Sequence, residues 1–141
     1  MKDKFTILTS SYNCGKYLND WSKSILSQEY RPLEVVFVND CSKDKTANII
    51  LKLADKMIDN GIEVKILTND KRRYCGTSYN RAISCATGSY FGILDADDSL
   101  KKGSVEYVMN LYQKYTDIAW IYTQFNICNM SLKAKKRGWC K

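Results

Sequence analysis

Three carboxylates, Asp95, Asp97 and Asp98, lie within four residues at the end of a short apolar run, residues 90–94 (YFGIL). Like charges this close repel one another and lose hydration if they are enclosed, so the group is stable either in open water or around a cation. A divalent ion that prefers oxygen ligands, Mg²⁺ or Mn²⁺, suits it. A solvated turn or a helix cap is the alternative. We call residues 95–98 the acidic tip.

Polar residues also follow the three earlier β-rich runs of the chain. They are Ser11, Tyr12 and Asn13 after the first run, Asn39 and Asp40 after the second, and Lys71, Arg72 and Arg73 after the third. The carboxyl ends of parallel strands share one edge of a sheet, where ligands gather. Asp40 is placed to hydrogen-bond a nucleoside, and cations beside an acidic tip suit a diphosphate bridged by a divalent ion. We therefore expect a metal–diphosphate site at this edge.

Other chemistries fit the sequence poorly. It has no G-x-G-x-x-G loop after the first strand and no G-x-x-x-x-G-K-S/T loop, which argues against NAD enzymes and P-loop NTPases. A nucleotidyltransferase would need a Gly- and Arg-rich loop after the first strand, which residues 10–15 do not supply. The absence of histidine removes the usual base of Ser and Cys hydrolases. The six cysteines form no C-x-x-C pair and are interpreted as reduced thiols rather than a disulfide framework.

The hydrophobic pattern predicts alternating strands and helices. This order is typical of an α/β fold, a Rossmann-like, mainly parallel sheet with helices on both faces, here truncated after about five strands. The predicted strands are residues 5–9, 33–38, 63–68 and 90–94, with a longer fifth strand at residues 117–127. The predicted helices run from Lys16 to before Pro32, from Ser42 or Asp44 to Asn60, from Gly76 to Gly88, and over residues 104–115.

Length and charge set the expected organisation. With 141 residues, 45% of them hydrophobic, the chain is expected to form one domain over residues 1–130, followed by a basic tail, residues 131–141. No apolar run reaches the ~20 residues that span a bilayer, and the N-terminus does not resemble a signal peptide, so a cytoplasmic location is expected. The net charge of +7 favours anionic partners, and the tail offers a contact with a membrane surface.

Three stretches, in order, resemble the family 2 glycosyltransferases of the GT-A fold. Residues 5–13 (FTILTSSYN) resemble the family's opening strand and its P-T-Y-N loop. Residues 33–44 (LEVVFVNDCSKD) resemble its E-x-I-V-V-D-D-G-S-x-D segment, and residues 86–100 (ATGSYFGILDADDSL) resemble A-x-G-x-Y-I-x-x-L-D-A-D-D. Together they span most of residues 5–100.

The resemblance implies a nucleotide-sugar donor, most often UDP-linked, and a divalent cofactor, Mn²⁺ or Mg²⁺. Asp40 would match the carboxylate that contacts the base, and Asp95 and Asp97 the ends of the D-x-D motif, with Asp98 close by. The implied metal ligands are Asp95, Asp97 and Asp98. The candidate donor-binding residues are Ser11, Tyr12, Asn13, Asp40, Arg72, Arg73, Asn80, Asp95, Ala96 and Asp97.

The chain departs from the family pattern at several positions. Ser10 and Ser11 stand where the family often has Pro-Thr, Asn39 replaces the first Asp of its D-D pair, and residues 76–80 (GTSYN) lack the Arg that commonly precedes the matching Asn.

No residue is assigned as the catalytic base. An inverting transfer needs a general base to activate the acceptor hydroxyl, and after Asp98 the chain offers only Glu106 and Asp117, neither well placed. We therefore interpret the chain as a glycosyltransferase or its donor-binding half, with a glycan, lipid or protein acceptor. The alternative is a non-catalytic module whose basic tail docks on a membrane, nucleic acid or a partner protein. Nucleic acid is the less expected partner.

Overall fold

A computed structural model describes residues 2–129 and 134–138 of the chain. Strands and helices alternate up to the fourth helix, and two further strands follow it. The strands are β1 (Phe5–Ser11), β2 (Leu33–Asn39), β3 (Ile62–Thr68), β4 (Tyr90–Ile93), β5 (Phe125–Cys128) and β6 (Ala134–Gly138). The helices are α1 (Leu18–Leu26), α2 (Thr46–Asp59), α3 (Tyr74–Cys85) and α4 (Ser104–Lys114).

The first compact unit, Met1–Tyr107, is built on a four-stranded parallel sheet in the order β3-β2-β1-β4. Ser11 at the end of β1 is level with Asn39 at the end of β2, which is level with Thr68 at the end of β3. The loops that follow these strands therefore start from the same edge. The β4 strand joins β1 on its other side, and the Leu94 amide donates to the Leu8 carbonyl at 3.0 Å.

Helices cover both faces of this sheet, because neighbouring strand residues point to opposite faces. Val36 and Val38 of β2 lie in a buried cluster with Ala82 of α3. Between them, Phe37 points the other way and packs edge to face against Trp21 of α1, with 5.4 Å between ring centroids. The α2 helix packs beside α1. The predicted α/β fold with a mainly parallel sheet is confirmed.

Two helices begin at different residues from those predicted. Asp44, one of the two predicted starts of α2, lies just before it and caps it: its carboxylate accepts bonds from the Thr46 amide at 2.9 Å and the Gly15 amide at 3.1 Å. The α3 helix starts at Tyr74, two residues before Gly76. Its first amides are held by the carboxylate of Asp40, which local sequence patterns do not reveal.

The predicted fifth strand is wrong in both extent and pairing. Residues 117–124 form no strand, and β5 pairs with β6 in a separate two-stranded antiparallel sheet, so the main sheet has four strands among the described residues. Trp120 and Tyr122 are 72% and 73% exposed. Aromatic residues favour strands only where a pleated, half-buried surface receives them, and this segment has none.

The second compact unit, Val108–Lys141, contains β5 and β6. The β6 strand lies inside the predicted basic tail and pairs with β5. Residues 130–133 and 139–141, which include Lys133 and Trp139, lie outside the described residues. The assignment of residues 1–130 to one domain and 131–141 to a tail stays a prediction, although the two compact units divide earlier. None of the helices in the described part of the chain is long and apolar enough to cross a bilayer.

A buried glutamate stabilises the amino end of the sheet. The Glu34 side chain on β2 is fully buried and pairs with the Lys65 ammonium at 2.7 Å. It also accepts bonds from the Thr6 hydroxyl at 2.6 Å and from the Thr87 amide and hydroxyl at 2.8 and 2.9 Å. Burial alone would raise its pKa, but the bonds from Lys65, Thr6 and Thr87 outweigh it and lower the pKa of Glu34 to about 2.

We predict that Glu34→Gln destabilises the protein at pH 7. A shift from 4.5 to about 2 corresponds to about 3 kcal/mol of folding free energy. Because the folded-state pKa is lowered, this stability is present above about pH 4.5 and is lost as the pH falls towards 2. Denaturant unfolding of both proteins at pH 7 and pH 3 should show the difference shrinking at pH 3.

The matched control is Glu29→Gln, which neutralises an exposed glutamate paired with Lys102 on the surface. Its unfolding curve should stay close to that of the wild type at both pH values. An equal loss in the two variants, or a Glu34→Gln effect that does not depend on pH, would contradict the role assigned to the Glu34 network.

Candidate functional site

The loops after β1 and β2 are locked together through Asn13. Its amide donates to the Ser42 hydroxyl at 3.1 Å, and its side-chain oxygen accepts from the Lys43 amide at 2.8 Å. Asn13 adopts a left-handed backbone with φ of 55°, which asparagine tolerates better than most residues. The Asn13 side chain, which the sequence predicts to bind the donor, thus links the loops that follow β1 and β2.

Asp40 is a buried carboxylate surrounded by N–H donors, and only 2% of the residue is exposed. One oxygen accepts from the Asn69 side-chain amide and the Arg73 backbone amide, both at 2.7 Å, and the other accepts from the Tyr74 amide at 2.8 Å. Burial would raise its pKa, but these bonds and the nearby Arg72 charge hold the pKa of Asp40 below its usual value. Asp40 therefore caps α3 and fixes the loop before it.

Asn69 and Asn39 complete this network, and sequence reasoning gave neither a role in the site. The Asn69 amide nitrogen also contacts the Ser78 hydroxyl at 3.0 Å, and its oxygen accepts from Arg81 at 2.6 Å. The Asn39 side-chain oxygen accepts from the Ser42 amide at 3.1 Å. Asparagine at position 39, where the family has aspartate, thus serves as a neutral turn cap.

Arg72 lies between two aromatic rings. Its guanidinium carbon is 4.1 Å from the centroid of the Tyr12 ring and 4.7 Å from that of Tyr74, within the range of cation–π attraction. Tyr12 follows β1 and Tyr74 begins α3, so the arginine joins two loops of the edge. We call Tyr12, Arg72 and Tyr74 the aromatic clamp.

Among the described residues, three other than glycine have left-handed backbones, two of them in loops at this edge of the sheet and one at the start of α3. They are Asn13, Cys41 and Tyr74, with φ of 55°, 59° and 63°. Such conformations are costly, and they concentrate at binding and catalytic sites because the surrounding contacts must hold them. Here the Asp40 bond to the Tyr74 amide is one of those contacts.

Arg73 points away from the aromatic clamp. Its guanidinium pairs with Asp70 at 2.9 Å, beside a polar cleft of about 340 Å³ next to the end of β3. The cleft is lined by Thr68, Asn69, Asp70, Arg73, Thr77 and Arg81. The neighbouring arginines that the sequence assigned to one donor site thus face different surroundings.

The acidic tip forms a turn directly after β4. The Asp98 amide donates to the Asp95 carbonyl at 3.0 Å, and the Thr9 hydroxyl anchors the preceding Leu94 carbonyl at 2.8 Å. All three carboxylates are exposed, whereas Ala96 is buried. Loss of hydration and the negative charges of Asp97 and Asp95 raise the pKa of the Asp98 carboxyl. A cation at this turn would relieve that repulsion.

The described residues contain no group of three or more His, Cys, Asp or Glu side chains that could hold a metal by themselves. The acidic tip nevertheless offers exposed carboxylate oxygens, the ligands that Mg²⁺ and Mn²⁺ prefer. Such ions are commonly held by one or two carboxylates together with substrate phosphates. The side chains therefore fit a metal that binds with a diphosphate, rather than a cage built by the protein alone.

Tyr79 on α3 reaches the acidic tip. Its hydroxyl donates to a carboxylate oxygen of Asp95. Burial, followed by the hydrogen bond and charge of Asp95, raises the pKa of the Tyr79 phenol, so the hydroxyl stays protonated and remains a donor at neutral pH. Sequence reasoning missed Tyr79, because only the fold brings α3 next to the end of β4.

Two other predicted donor residues differ in their exposure. The Ser11 hydroxyl is buried and has no hydrogen-bond partner among the described residues. Asn80 is exposed on α3, one position after Tyr79, and in the described part of the chain its side chain makes no hydrogen bond to the other predicted residues. Their roles in donor binding stay predictions.

Known proteins and a family model resemble this chain in sequence. The model of the family described as Glycosyl transferase family 2 matches residues 6–138. Chondroitin synthase from Pasteurella multocida is 34% identical over 118 residues, which are 84% of this chain and 12% of that protein. Glycosyltransferase GlyG from Streptococcus pneumoniae is 31% identical over 114 residues, 81% of this chain and 36% of that protein. The chain thus spans well under half the length of these relatives.

Solved structures agree in fold. TarS residues 1–349 from S. aureus, in complex with UDP-GlcNAc, has a TM-score of 0.72 and 26% identity, covering 80% of this chain and 32% of that one. The mannosyltransferase PcManGT from Pyrobaculum calidifontis, in complex with GDP-Man and Mn²⁺, has a TM-score of 0.73 and 23% identity, covering 79% and 33%. With the family match across nearly all of its residues, this chain belongs to glycosyl transferase family 2.

Proposed function

We propose that this chain is the donor-binding part of a glycosyltransferase that uses a nucleoside-diphosphate sugar, with UDP as the nucleotide. The observation that carries the proposal is the position of the acidic tip and the aromatic clamp at the ends of the paired strands β4 and β1. A nucleoside diphosphate carries a flat base at one end and two phosphates at the other, and these two features match its ends. The likeness to TarS bound to UDP-GlcNAc supports the choice of UDP.

The aromatic clamp would receive the nucleoside. Tyr74 is 66% exposed, so its ring offers a free surface for stacking. Asp40 already accepts three N–H bonds, and a carboxylate has about four acceptor positions, so at most one remains for a base. We therefore propose that Asp40 acts mainly by holding Arg72 and Tyr74 in place.

Asp97 and Asp95 would hold the divalent ion, Mn²⁺ or Mg²⁺, together with the phosphates, and Asp98 would add to the negative field. When bound, the ion neutralises the charge that develops on the leaving diphosphate. The exposure of these carboxylates and their crowding at one turn support this assignment. The cations of residues 71–73 would add positive charge that attracts the anionic donor.

The acceptor side is proposed to lie outside this chain. Glu106 lies in the first turn of α4 and Asp117 lies beyond the end of α4, and both are exposed. Neither follows one of the four parallel strands, where the donor residues gather. The proposed acceptor is a glycan, a lipid or a protein. The basic tail is proposed to contact a membrane surface.

We predict that UDP binds in a Mn²⁺-dependent manner and that Asp97→Ala lowers this affinity at least about tenfold, since groups supporting a metal site typically contribute about 10–100-fold. Titration calorimetry with UDP, GDP, CDP and dTDP, each with Mn²⁺ and with a chelator, measures the effect. Asp59→Ala is the control, because Asp59 is exposed at the far end of α2. If no nucleotide gives heat with the wild type, the proposed function is wrong for this chain.

We predict that Arg72→Ala weakens UDP binding roughly two- to fivefold with and without Mn²⁺, since exposed cation–π contacts contribute about 0.5–1 kcal/mol. The same titration measures it. Lys71→Ala removes an equal charge from the neighbouring residue, so it corrects for general electrostatic attraction. Equal losses in the two variants would mean that Arg72 acts by charge alone and not through the aromatic clamp.

A further inference from the structure

Tyr79 connects the hydrophobic core to the acidic tip. Its ring packs, partly buried, against the cluster that contains Leu8, Val36 and Val38. Its hydroxyl extends beyond that cluster and donates to a carboxylate oxygen of Asp95. A side chain held by core packing thus reaches an exposed carboxylate at the edge of the sheet.

We propose that Tyr79 is a positioning residue for Asp95: by holding one carboxylate oxygen, it turns the other towards the cation and the diphosphate of the donor. The proposal rests on the proposed function. Asp95 is exposed on a turn, so without a partner its side chain would sample several rotamers and would lose that freedom on binding. A hydrogen bond from a packed residue removes part of this cost in advance.

The chemistry of the phenol matters as much as its position. A cationic donor such as a guanidinium would neutralise Asp95 as well as orient it. A neutral hydroxyl orients the carboxylate and leaves its negative charge available to a cation. The charges around the acidic tip fit this arrangement, since Asp97 and Asp98 are further exposed carboxylates on the same turn.

The competing explanation is that Tyr79 only fills space. In that case the ring alone matters, and the hydroxyl bond has no effect on ligand binding. Tyr79→Phe separates the two explanations, because it keeps the ring in the core and removes only the donor. Tyr30→Phe is the matched control: Tyr30 is buried, and its hydroxyl donates to the Asp3 carbonyl at 2.6 Å, on the amino side of the sheet.

The experiment measures UDP affinity by calorimetry with Mn²⁺ and with a chelator, and Mn²⁺ affinity in the presence of UDP by electron paramagnetic resonance. We expect Tyr79→Phe to weaken Mn²⁺-dependent UDP binding roughly three- to tenfold, within the net range of one ordinary hydrogen bond. Its affinity for UDP without metal should equal that of the wild type. Tyr30→Phe should leave both affinities unchanged.

A double-mutant cycle with Asp95→Asn tests whether the two residues act together. Tyr79→Phe should cause no further loss of Mn²⁺-dependent binding in the Asp95→Asn background. The positioning role is overturned if Tyr79→Phe binds as the wild type does, if its loss is the same without metal, or if the two losses simply add. If the wild type binds no nucleotide at all, the proposed function fails first, and the role of Tyr79 fails with it.

Discussion

The buried carboxylate of Asp40 is the contact on which the geometry of the site depends. A carboxylate without water is tolerated only where donors surround it, and here one side-chain amide and two backbone amides do so. Those backbone amides belong to Arg73 and Tyr74, so satisfying the charge also fixes where α3 begins. The position of the guanidinium of Arg72 and the direction of α3 towards β4 follow from this contact.

Two buried carboxylates of the first unit contrast with those of the acidic tip. Glu34, at the amino end of the sheet, is compensated by Lys65 and three hydrogen bonds, and Asp40 is compensated by amides and a nearby arginine. Both are matched within the fold, and both have lowered pKa values. The acidic tip is different: its carboxylates are exposed, and loss of hydration together with the charges of Asp97 and Asp95 raises the pKa of Asp98. Three exposed carboxylates crowded on one turn support the proposal that a ligand, rather than the fold, supplies their partner there.

Much of this arrangement could be predicted from the sequence, because periodicity records which residues are buried. The continuous apolar run of β2 predicted a strand covered on both faces, and Val36, Phe37 and Val38 do pack against helices on opposite sides. Four polar clusters after four strands predicted a shared edge, and the register of Ser11, Asn39 and Thr68 produces it. These features follow from local patterns combined with the rule that parallel strands end at the same edge.

What the sequence did not reveal depends on contacts between distant residues. The start of α3 is set by Asp40, more than thirty positions away, and no capping residue next to the helix announces it. Tyr79 lies three residues before Ala82 on α3, and its ring packs against the same buried cluster. The hydroxyl acquires a role only because α3 crosses behind β1 and meets the end of β4. The ring of such a residue contributes to packing, and its hydroxyl contributes to the site. Hydrophobic periodicity can indicate where the ring lies, but it carries no information on the partner of the hydroxyl. Tyrosines on such helices are therefore worth inspecting wherever an acidic turn follows the neighbouring strand.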